Sequence, residues 1–159
     1  MTEIAIYPSL KDQVVLITGG ASGIGETIVE NFLQQESKVV FLDKEKELGL
    51  KLVSKLKNYK YKAIFKECDL INIDDLKSII NQIPQEVGLI SILVNNAAND
   101  ERHDIDSVTP EIEKQQLERQ CIKRMLEPND IAKSVLFFAS DQSSGCTAQN
   151  YVVDGGVVN

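Results

Sequence analysis

A glycine-rich turn constrains this chain more than any other feature of its sequence. The turn is Thr18-Gly19-Gly20-Ala21-Ser22-Gly23-Ile24-Gly25. A β-branched run at 14–17 precedes it and is typical of a buried parallel strand. Apolar residues then recur at helical spacing over 28–33, which predicts a helix that begins at the turn. A tight turn between a buried strand and a helix favours a fold in which strands and helices alternate.

The segments up to residue 98 continue this alternation. Further strands are predicted at 39–42, 63–70 and 90–94, and amphipathic helices at 48–56 and 76–87. Pro84 is expected to end or kink the second of these helices. Because parallel strands are joined by right-handed crossovers, the pattern predicts an α/β fold with a doubly wound, Rossmann-like parallel sheet in the order 3-2-1-4.

The character of the sequence changes after Ala98. Residues 99–120 form a polar and charged stretch, which we expect to be an irregular junction. Pro128 suits the first position of a further helix, where its missing N–H is not needed. The apolar run at 151–153 is expected to add a fifth, C-terminal strand beside the fourth. No repeat or low-complexity tract divides the chain, so one domain over 1–159 is expected.

Charge and cysteine content argue against several classes of protein. The net charge of −7 disfavours non-specific binding to nucleic acid or to an anionic membrane. No apolar run approaches the ~20 residues that cross a bilayer, and the start does not resemble a signal peptide, so we expect a cytoplasmic protein.

Cys68, Cys121 and Cys146, with His103 as the single histidine, lack metal-like spacing. They indicate reduced thiols rather than a metal site.

The glycine turn has the chemistry that a phosphate group needs. Glycines let the backbone approach a pyrophosphate closely, and the start of a helix offers unpaired N–H groups to it. Asp43 ends the second predicted strand, 20 residues after Gly23, where an acidic side chain meets the adenosine ribose in dinucleotide-binding folds. Taken alone, a glycine turn is more often structural, and an acid such as Asp43 or Asp69 is more often a solvated strand end.

Several segments together resemble the short-chain dehydrogenase/reductase family. The turn has that family's Thr-Gly-x-x-x-Gly-x-Gly spacing, and Cys68-Asp69-Leu70 resembles its acidic adenine-associated site. Asn95-Asn96-Ala97-Ala98 resembles its Asn-Asn-Ala-Gly segment, with Ala98 in place of glycine. Residues 124–132 and 146–156 resemble its late helix and its ending. The resemblance implies an oxidoreductase with a nicotinamide dinucleotide cofactor. It places the cofactor-binding residues at Thr18, Gly19, Ala21, Ser22, Gly23, Ile24, Gly25, Asp43, Asp69, Leu70, Asn95 and Ala97.

Asp43 also bears on the choice between NAD and NADP. Its carboxylate is suited to a free ribose 2′-hydroxyl and repels a 2′-phosphate. No basic residue lies at 19–25 to compensate. Lys44 is the one neighbouring group that could pair with a phosphate. The sequence favours NAD.

The family's catalytic residues are not found in this sequence. Members use a serine, and a tyrosine and lysine spaced Tyr-x-x-x-Lys on one helix face, where the lysine lowers the pKa of the tyrosine. The only such spacing here is Tyr7 to Lys11, which Pro8 interrupts and which precedes the first strand. We treat it as a coincidence and expect no catalytic residue. The two ends of this chain resemble the two ends of a family member. The family's central segment is missing from the chain, somewhere within about 99–120.

Within the family, residues 95–103 and 121–154 look like those of sugar (aldose) dehydrogenases, with a small polar substrate such as a sugar. His103 could approach a substrate, although a surface loop is the simpler interpretation. The first hypothesis is therefore a sugar or alcohol dehydrogenase whose chain is inactive alone. The alternative is a non-catalytic NAD-binding or self-associating protein left by an internal deletion, and a third is a decayed product without function. The family's late helix and last strand form a subunit contact, which implies a homo-oligomer.

Overall fold

A four-stranded parallel sheet forms the centre of the molecule. The computed structural model describes residues 4–98 and 108–157. Its strands are β1 (Val14–Thr18), β2 (Lys38–Asp43), β3 (Ile64–Glu67) and β4 (Ile92–Asn95). They lie in the order β3-β2-β1-β4, and each neighbouring pair is parallel. The predicted α/β class and the order 3-2-1-4 are confirmed.

Five α-helices accompany the strands in the described ranges. They are α1 (Gly23–Gln34), α2 (Lys46–Lys55), α3 (Ile73–Glu86), α4 (Pro110–Arg119) and α5 (Pro128–Ala139). The sheet separates two apolar cores, because neighbouring residues of a strand point to opposite faces. Val15 and Ile17 of β1 pack into the core that includes residues of α1, α2 and α5, whereas Val14 and Leu16 pack into the core with α3. All five residues of β1 are therefore buried, as expected for the centre of a parallel sheet.

Helix α3 continues beyond Pro84, contrary to one of the two expectations for that residue. It ends at Glu86, and the N–H of Val87 still donates to the carbonyl of Ile83 at 2.9 Å. A proline removes only its own donor, and Pro84 lies in the last turn of the helix. The next amides therefore find their carbonyls, and the helix does not end at the proline.

The expected fifth strand is wrong in the part of the chain that the structure describes. Residues 151–153 have no strand partner, and Val157 makes only an isolated antiparallel bridge with Gln120. The ring of Tyr151 instead packs edge-on against Phe138 of α5, with 5.3 Å between centroids. This contact holds the segment beside α5, and an open groove separates it from β4. The C-terminal run has the composition of a strand but does not pair with the free edge of β4.

The described part of the expected irregular junction, 108–120, contains helix α4. The side chain of Thr109 accepts a hydrogen bond from the N–H of Ile112, and Pro110 takes the first helical position. Local capping therefore makes a helix from a charged segment in which no residue is buried. Across the described residues, no helix is long and apolar enough to span a bilayer. His103 lies outside the described residues.

Candidate functional site

The glycine turn is tied to the end of β2 by three successive amides. The N–H groups of Gly19 and Gly20 both donate to the carbonyl of Leu42, at 2.8 and 3.3 Å. The N–H of Ala21 donates to Oδ2 of Asp43 at 2.9 Å. These bonds fix the turn against the carboxyl end of the sheet, which is where ligands bind in open α/β sheets.

The next amides of the turn open helix α1 and have no capping side chain. Ser22 is the N-cap residue, and its side chain makes no capping hydrogen bond. The first backbone bond of the helix comes from Glu26 to the carbonyl of Ser22, which leaves the amides of 22–25 without helical partners. By contrast, Asn72 caps α3 through the N–H of Asp75. The uncapped start of α1 therefore offers N–H groups and the positive end of a helix dipole.

Two glycines show why this turn requires their side-chain hydrogen. A Cβ placed on Gly25 would lie 1.8 Å from the carbonyl oxygen of Gly19, so the helix can pack on the turn only without it. Gly23 has a φ of +58° and no atom within 4 Å of an added Cβ. A Cβ added there would project into open space, so the positive φ and not the packing favours glycine at this position.

Asn96 joins the end of β4 to the same turn. Its Nδ2 donates to the carbonyl oxygens of Thr18 and Gly19, at 3.1 and 2.8 Å. In return, the hydroxyl of Thr18 accepts from the N–H groups of Asn96 and Ala97, each at 3.1 Å. Thr18 is buried, so this clasp forms the floor of the site rather than its surface.

These elements enclose a groove of about 570 Å³, which we name the glycine-turn groove. The predicted site residues that line it are Gly19, Ser22, Ile24, Gly25, Asp43, Asp69, Leu70 and Ala97. Four predicted residues do not line it. Thr18 and Ala21 belong to the turn but are buried. Gly23 has open surroundings, and Asn95 lines a different groove.

Seven residues line the glycine-turn groove in addition to those predicted. They are Leu42, Lys44, Glu45, Cys68, Ile71, Asn96 and Ala98. The alternation of side chains at the end of β4 was the signal that could have separated Asn96 from Asn95, because neighbours in a strand face opposite ways. Cys68 is buried, and burial raises the pKa of its thiol, so the groove has a neutral thiol in its wall.

The acidic groups of the groove lie at its β2 and β3 end. Asp43, Glu45 and Asp69 line it there, together with the single cation Lys44. Oδ1 of Asp43 accepts from the N–H of Glu45 at 3.1 Å, and Oδ1 of Asp69 accepts from the N–H of Ile71 at 3.1 Å. The groove therefore joins open amides at one end to carboxylates at the other.

A comparison with protein families decides the origin of this arrangement. Residues 13–131 match the short chain dehydrogenase family, which is more than half of the chain. The chain belongs to the short-chain dehydrogenase family. The matched range includes β1 to β4, the glycine turn and helix α4.

Curated relatives of this dehydrogenase-family chain include sugar dehydrogenases. It is 42% identical to a D-xylose 1-dehydrogenase of Caulobacter vibrioides over 105 residues, which are 66% of this chain and 41% of that relative. A probable galactose dehydrogenase of Rhizobium meliloti is 27% identical over 248 aligned positions, which cover 95% of this chain and 97% of the relative. Since the chain has 159 residues, at least 89 of those 248 positions have no counterpart in it.

Solved structures show the same fold. A 7α-hydroxysteroid dehydrogenase complexed with NADH and 7-oxo glycochenodeoxycholic acid has a TM-score of 0.85 at 18% identity, over 95% of this chain and 97% of that structure. A short chain dehydrogenase from Bacillus anthracis has a TM-score of 0.55 at 28% identity, over 68% of this chain and 43% of that one. The chain thus spans less than half the length of some relatives that it matches.

Two tyrosines of this chain make hydrogen bonds with acidic side chains. The hydroxyl of Tyr59 donates to Glu30 at 2.9 Å, and burial raises its pKa. The hydroxyl of Tyr61 donates to Asp12 at 2.6 Å, and this bond raises its pKa. A tyrosine that acts as a base at neutral pH needs a lowered pKa, so both are shifted in the wrong direction.

The other two tyrosines also lie away from the glycine-turn groove. Lys11, the predicted coincidental partner of Tyr7, pairs with Glu36 at 3.2 Å. Tyr151 lines another groove, beside β4. Among residues 4–98 and 108–157, no tyrosine or histidine lines the glycine-turn groove, and no three His, Cys, Asp or Glu side chains are grouped to hold a metal.

The second groove, of about 700 Å³, follows the outer edge of β4, and we name it the β4-edge groove. Among the described residues, all those that line it are uncharged. They are Ser91, Ile92, Leu93, Val94, Asn95, Ile131, Ser134, Val135, Phe138, Ala139, Gln149, Tyr151 and Val153. In the described part of the chain β4 pairs only with β1, so its other edge keeps free backbone donors and acceptors.

Proposed function

We propose that the glycine-turn groove binds a nicotinamide dinucleotide. The hydrogen bonding of the turn's backbone amides supports the proposal most strongly. Three of these amides donate to residues of β2, whereas those of 22–25 at the start of α1 have no capping side chain. Phosphates suit the open amides, and the adenosine suits the acidic end near Asp43 and Asp69. The open surroundings of Gly23 fit a pyrophosphate beside the backbone.

NAD is the cofactor that the site favours. Asp43 lines the groove, and its negative charge opposes a ribose 2′-phosphate, whereas Lys44 is the only cation among the described residues of the lining. We expect NADH to bind about tenfold or more tightly than NADPH, which corresponds to about 1.4 kcal/mol. Fluorescence titration of the purified chain with each cofactor measures this ratio. Equal affinity for the two would contradict the assignment of NAD, and absence of saturable binding would sink the cofactor proposal itself.

The reaction class follows from the family, and the substrate from the relatives. A bound nicotinamide accepts or donates a hydride. The xylose and galactose dehydrogenases among the relatives support a small polar substrate, a sugar or related alcohol, for the complete enzyme. We propose that this chain descends from such an oxidoreductase and acts in the cytoplasm, where its three free cysteines stay reduced.

The chain alone is proposed to be inactive. The described residues provide no tyrosine beside the glycine-turn groove, so the substrate oxygen lacks its acid or base. At least 89 aligned positions of the galactose dehydrogenase are missing, which supports the loss of an internal segment. An assay of D-xylose- or D-galactose-dependent NADH production should give no turnover above background. Turnover by the purified chain would overturn this part of the proposal.

Self-association is the second candidate function, and the β4-edge groove favours it. An exposed strand edge with apolar neighbours is a ready template for another strand. The chain has a net charge of −7, so two copies repel each other over most of their surface. The uncharged lining of the β4-edge groove is a place where two copies can meet without like-charge contact. A second copy of this chain is therefore the partner that we propose. The oligomeric state of a Leu93→Lys variant, compared with that of the wild type, tests this proposal.

A further inference from the structure

The carboxylate of Asp43 accepts hydrogen bonds from two backbone amides of the chain itself. Its Oδ2 accepts from the N–H of Ala21 at 2.9 Å, and its Oδ1 accepts from the N–H of Glu45 at 3.1 Å. One carboxylate therefore joins the glycine turn to the residue that precedes α2. The family resemblance assigns the Asp43 side chain to the ribose, and these two bonds are additional to that role.

The bond to Ala21 lies at the boundary between the tied and the open amides of the turn. Ala21 is buried, and Asp43 is the acceptor that its N–H uses. A buried amide that loses its acceptor is costly, and bonds to charged acceptors are among the stronger hydrogen bonds in proteins. The open amides begin at the next residue, Ser22. A shift at Ala21 would therefore displace these amides as well.

We propose that Asp43 is a positioning residue that holds the open amides of 22–25 in place for phosphate, through the N–H of Ala21. The inference rests on the proposed function, because it concerns how the same groove receives a dinucleotide. It extends the role of Asp43 from the adenosine end of the ligand to the pyrophosphate end. Replacing Asp43 should then weaken binding even of a ligand that has no ribose.

The charge of Asp43 and its proposed positioning role predict opposite effects of its replacement on the affinity for a ligand without a ribose. The two roles can therefore be distinguished by experiment. As a nearby negative charge, Asp43 repels an anion, so its removal alone should tighten anion binding. As a positioning residue, its removal should weaken binding. Asp43→Asn removes the charge but keeps an oxygen that can accept from Ala21, whereas Asp43→Ala removes both. The pair of variants therefore separates position from charge.

The experiment compares the wild-type chain with Asp43→Asn and Asp43→Ala in two measurements. Inorganic pyrophosphate is titrated while the amide shifts of 22–25 are followed by NMR, and hydrogen exchange of the Ala21 amide is measured without ligand. Glu45→Gln serves as the charge control, because it removes a neighbouring charge while its own N–H still donates to Asp43. Far-UV circular dichroism and urea unfolding show whether each variant is folded.

We expect the Ala21 amide to exchange about tenfold or more faster in Asp43→Ala than in the wild type, and at near wild-type rates in Glu45→Gln. Pyrophosphate should bind about tenfold more weakly to Asp43→Ala than to Asp43→Asn. Equal pyrophosphate affinity for these two variants, or unchanged exchange at Ala21, would overturn the inference. If neither pyrophosphate nor NADH binds even the wild type, the proposed function fails, and the exchange rates still decide whether Asp43 holds the Ala21 amide.

Discussion

The glycine-turn groove and the β4-edge groove meet at the end of β4, and they differ in how the backbone around them is used. In the glycine-turn groove, three amides of the turn are tied to β2 and the carbonyls of Thr18 and Gly19 are held by Asn96. In the β4-edge groove, a strand edge is free and the lining is uncharged. The first is organised before a ligand arrives, whereas the second lacks a neighbouring element. The geometry of the glycine turn therefore depends on β1, β2 and β4, and does not require a further strand beside β4.

The largest expected effect comes from filling the turn itself. Gly25→Ala places a methyl group 1.8 Å from the carbonyl oxygen of Gly19 in the present geometry, so the turn or the helix must move. We expect NADH affinity to fall about 100-fold, as overpacking at a backbone contact costs about 1–3 kcal/mol. NADH fluorescence titration measures the loss.

Gly145→Ala is the matched control for this substitution. Gly145 has no atom within 4 Å of an added Cβ and is not in the left-handed region. Its NADH affinity should match that of the wild type. An equal loss in both variants would mean that the glycine turn is not where NADH binds.

Asn95 and Asn96 are neighbours in the sequence, but Asn95 lines the β4-edge groove and Asn96 lines the glycine-turn groove. Asn96→Ala removes the two side-chain bonds to Thr18 and Gly19, and we expect the free energy of unfolding to fall by about 1–3 kcal/mol. Asn95 is exposed at the β4-edge groove, so Asn95→Ala should change stability by less than about 0.5 kcal/mol. Urea denaturation of both variants checks the contrast. A larger loss in Asn95→Ala would reverse the assignment of the two side chains.

The start of α5 provides a pH-dependent test of the wall of the β4-edge groove. The Arg124 guanidinium, then the N–H of Glu127, lowers the pKa of Asp130 from 3.8 to about 2. The Asp130 carboxylate therefore stabilises the folded state above about pH 4, and this contribution is lost as the pH falls from about 4 towards 2.

Asp130→Asn should remove that contribution at neutral pH. With allowance for solvent screening of this exposed pair, we expect a loss of about 1 kcal/mol at pH 7 and a smaller difference from the wild type below pH 4. Urea unfolding at several pH values measures both. NADH affinity should stay unchanged, and a parallel loss of NADH binding would show that the two grooves are not independent.

The smallest effect on folding is expected at the free edge of β4. Leu93 is 57% exposed, so Leu93→Lys should change the free energy of unfolding by less than about 0.5 kcal/mol. A charge at this edge should nevertheless prevent pairing of two copies. We expect a concentration-dependent dimer for the wild type in analytical ultracentrifugation, and a monomer for Leu93→Lys.

Leu50→Lys is the control for the edge variant. Leu50 is equally exposed at 57% and lies on α2, away from the lining of either groove. It should associate as the wild type does. A monomeric wild type, or loss of the dimer in both variants, would contradict self-association through the β4-edge groove.

Local patterns predicted much of the fold, and distant partners decided the rest. The apolar run at 14–17 lies within β1, and the run at 39–42 lies within β2, because buried parallel strands carry continuous apolar sequence. The run at 151–153 has the same composition but forms no strand. Whether such a run pairs depends on a neighbouring edge far away in the sequence, which its own residues do not encode.

The site divides in the same way between local and distant information. Glycine spacing, the strand-end acids and the family resemblance predicted eight of the 15 residues that line the glycine-turn groove. The resemblance did not reveal the role of Asn96, whose bonds to Thr18 and Gly19 connect residues 77 and 78 positions apart. The bond between Ala21 and Asp43 also needed the folded chain, because the two residues are 22 positions apart and the chain between them forms α1 and most of β2.

Hydrogen exchange with and without NADH tests most directly whether the glycine-turn groove holds the cofactor. Binding there should slow exchange at the amides of 18–25 and 96–98, and leave those of 91–94 and 131–139 unchanged. Protection confined to the β4-edge groove, or no protection anywhere at saturating NADH, would contradict the account.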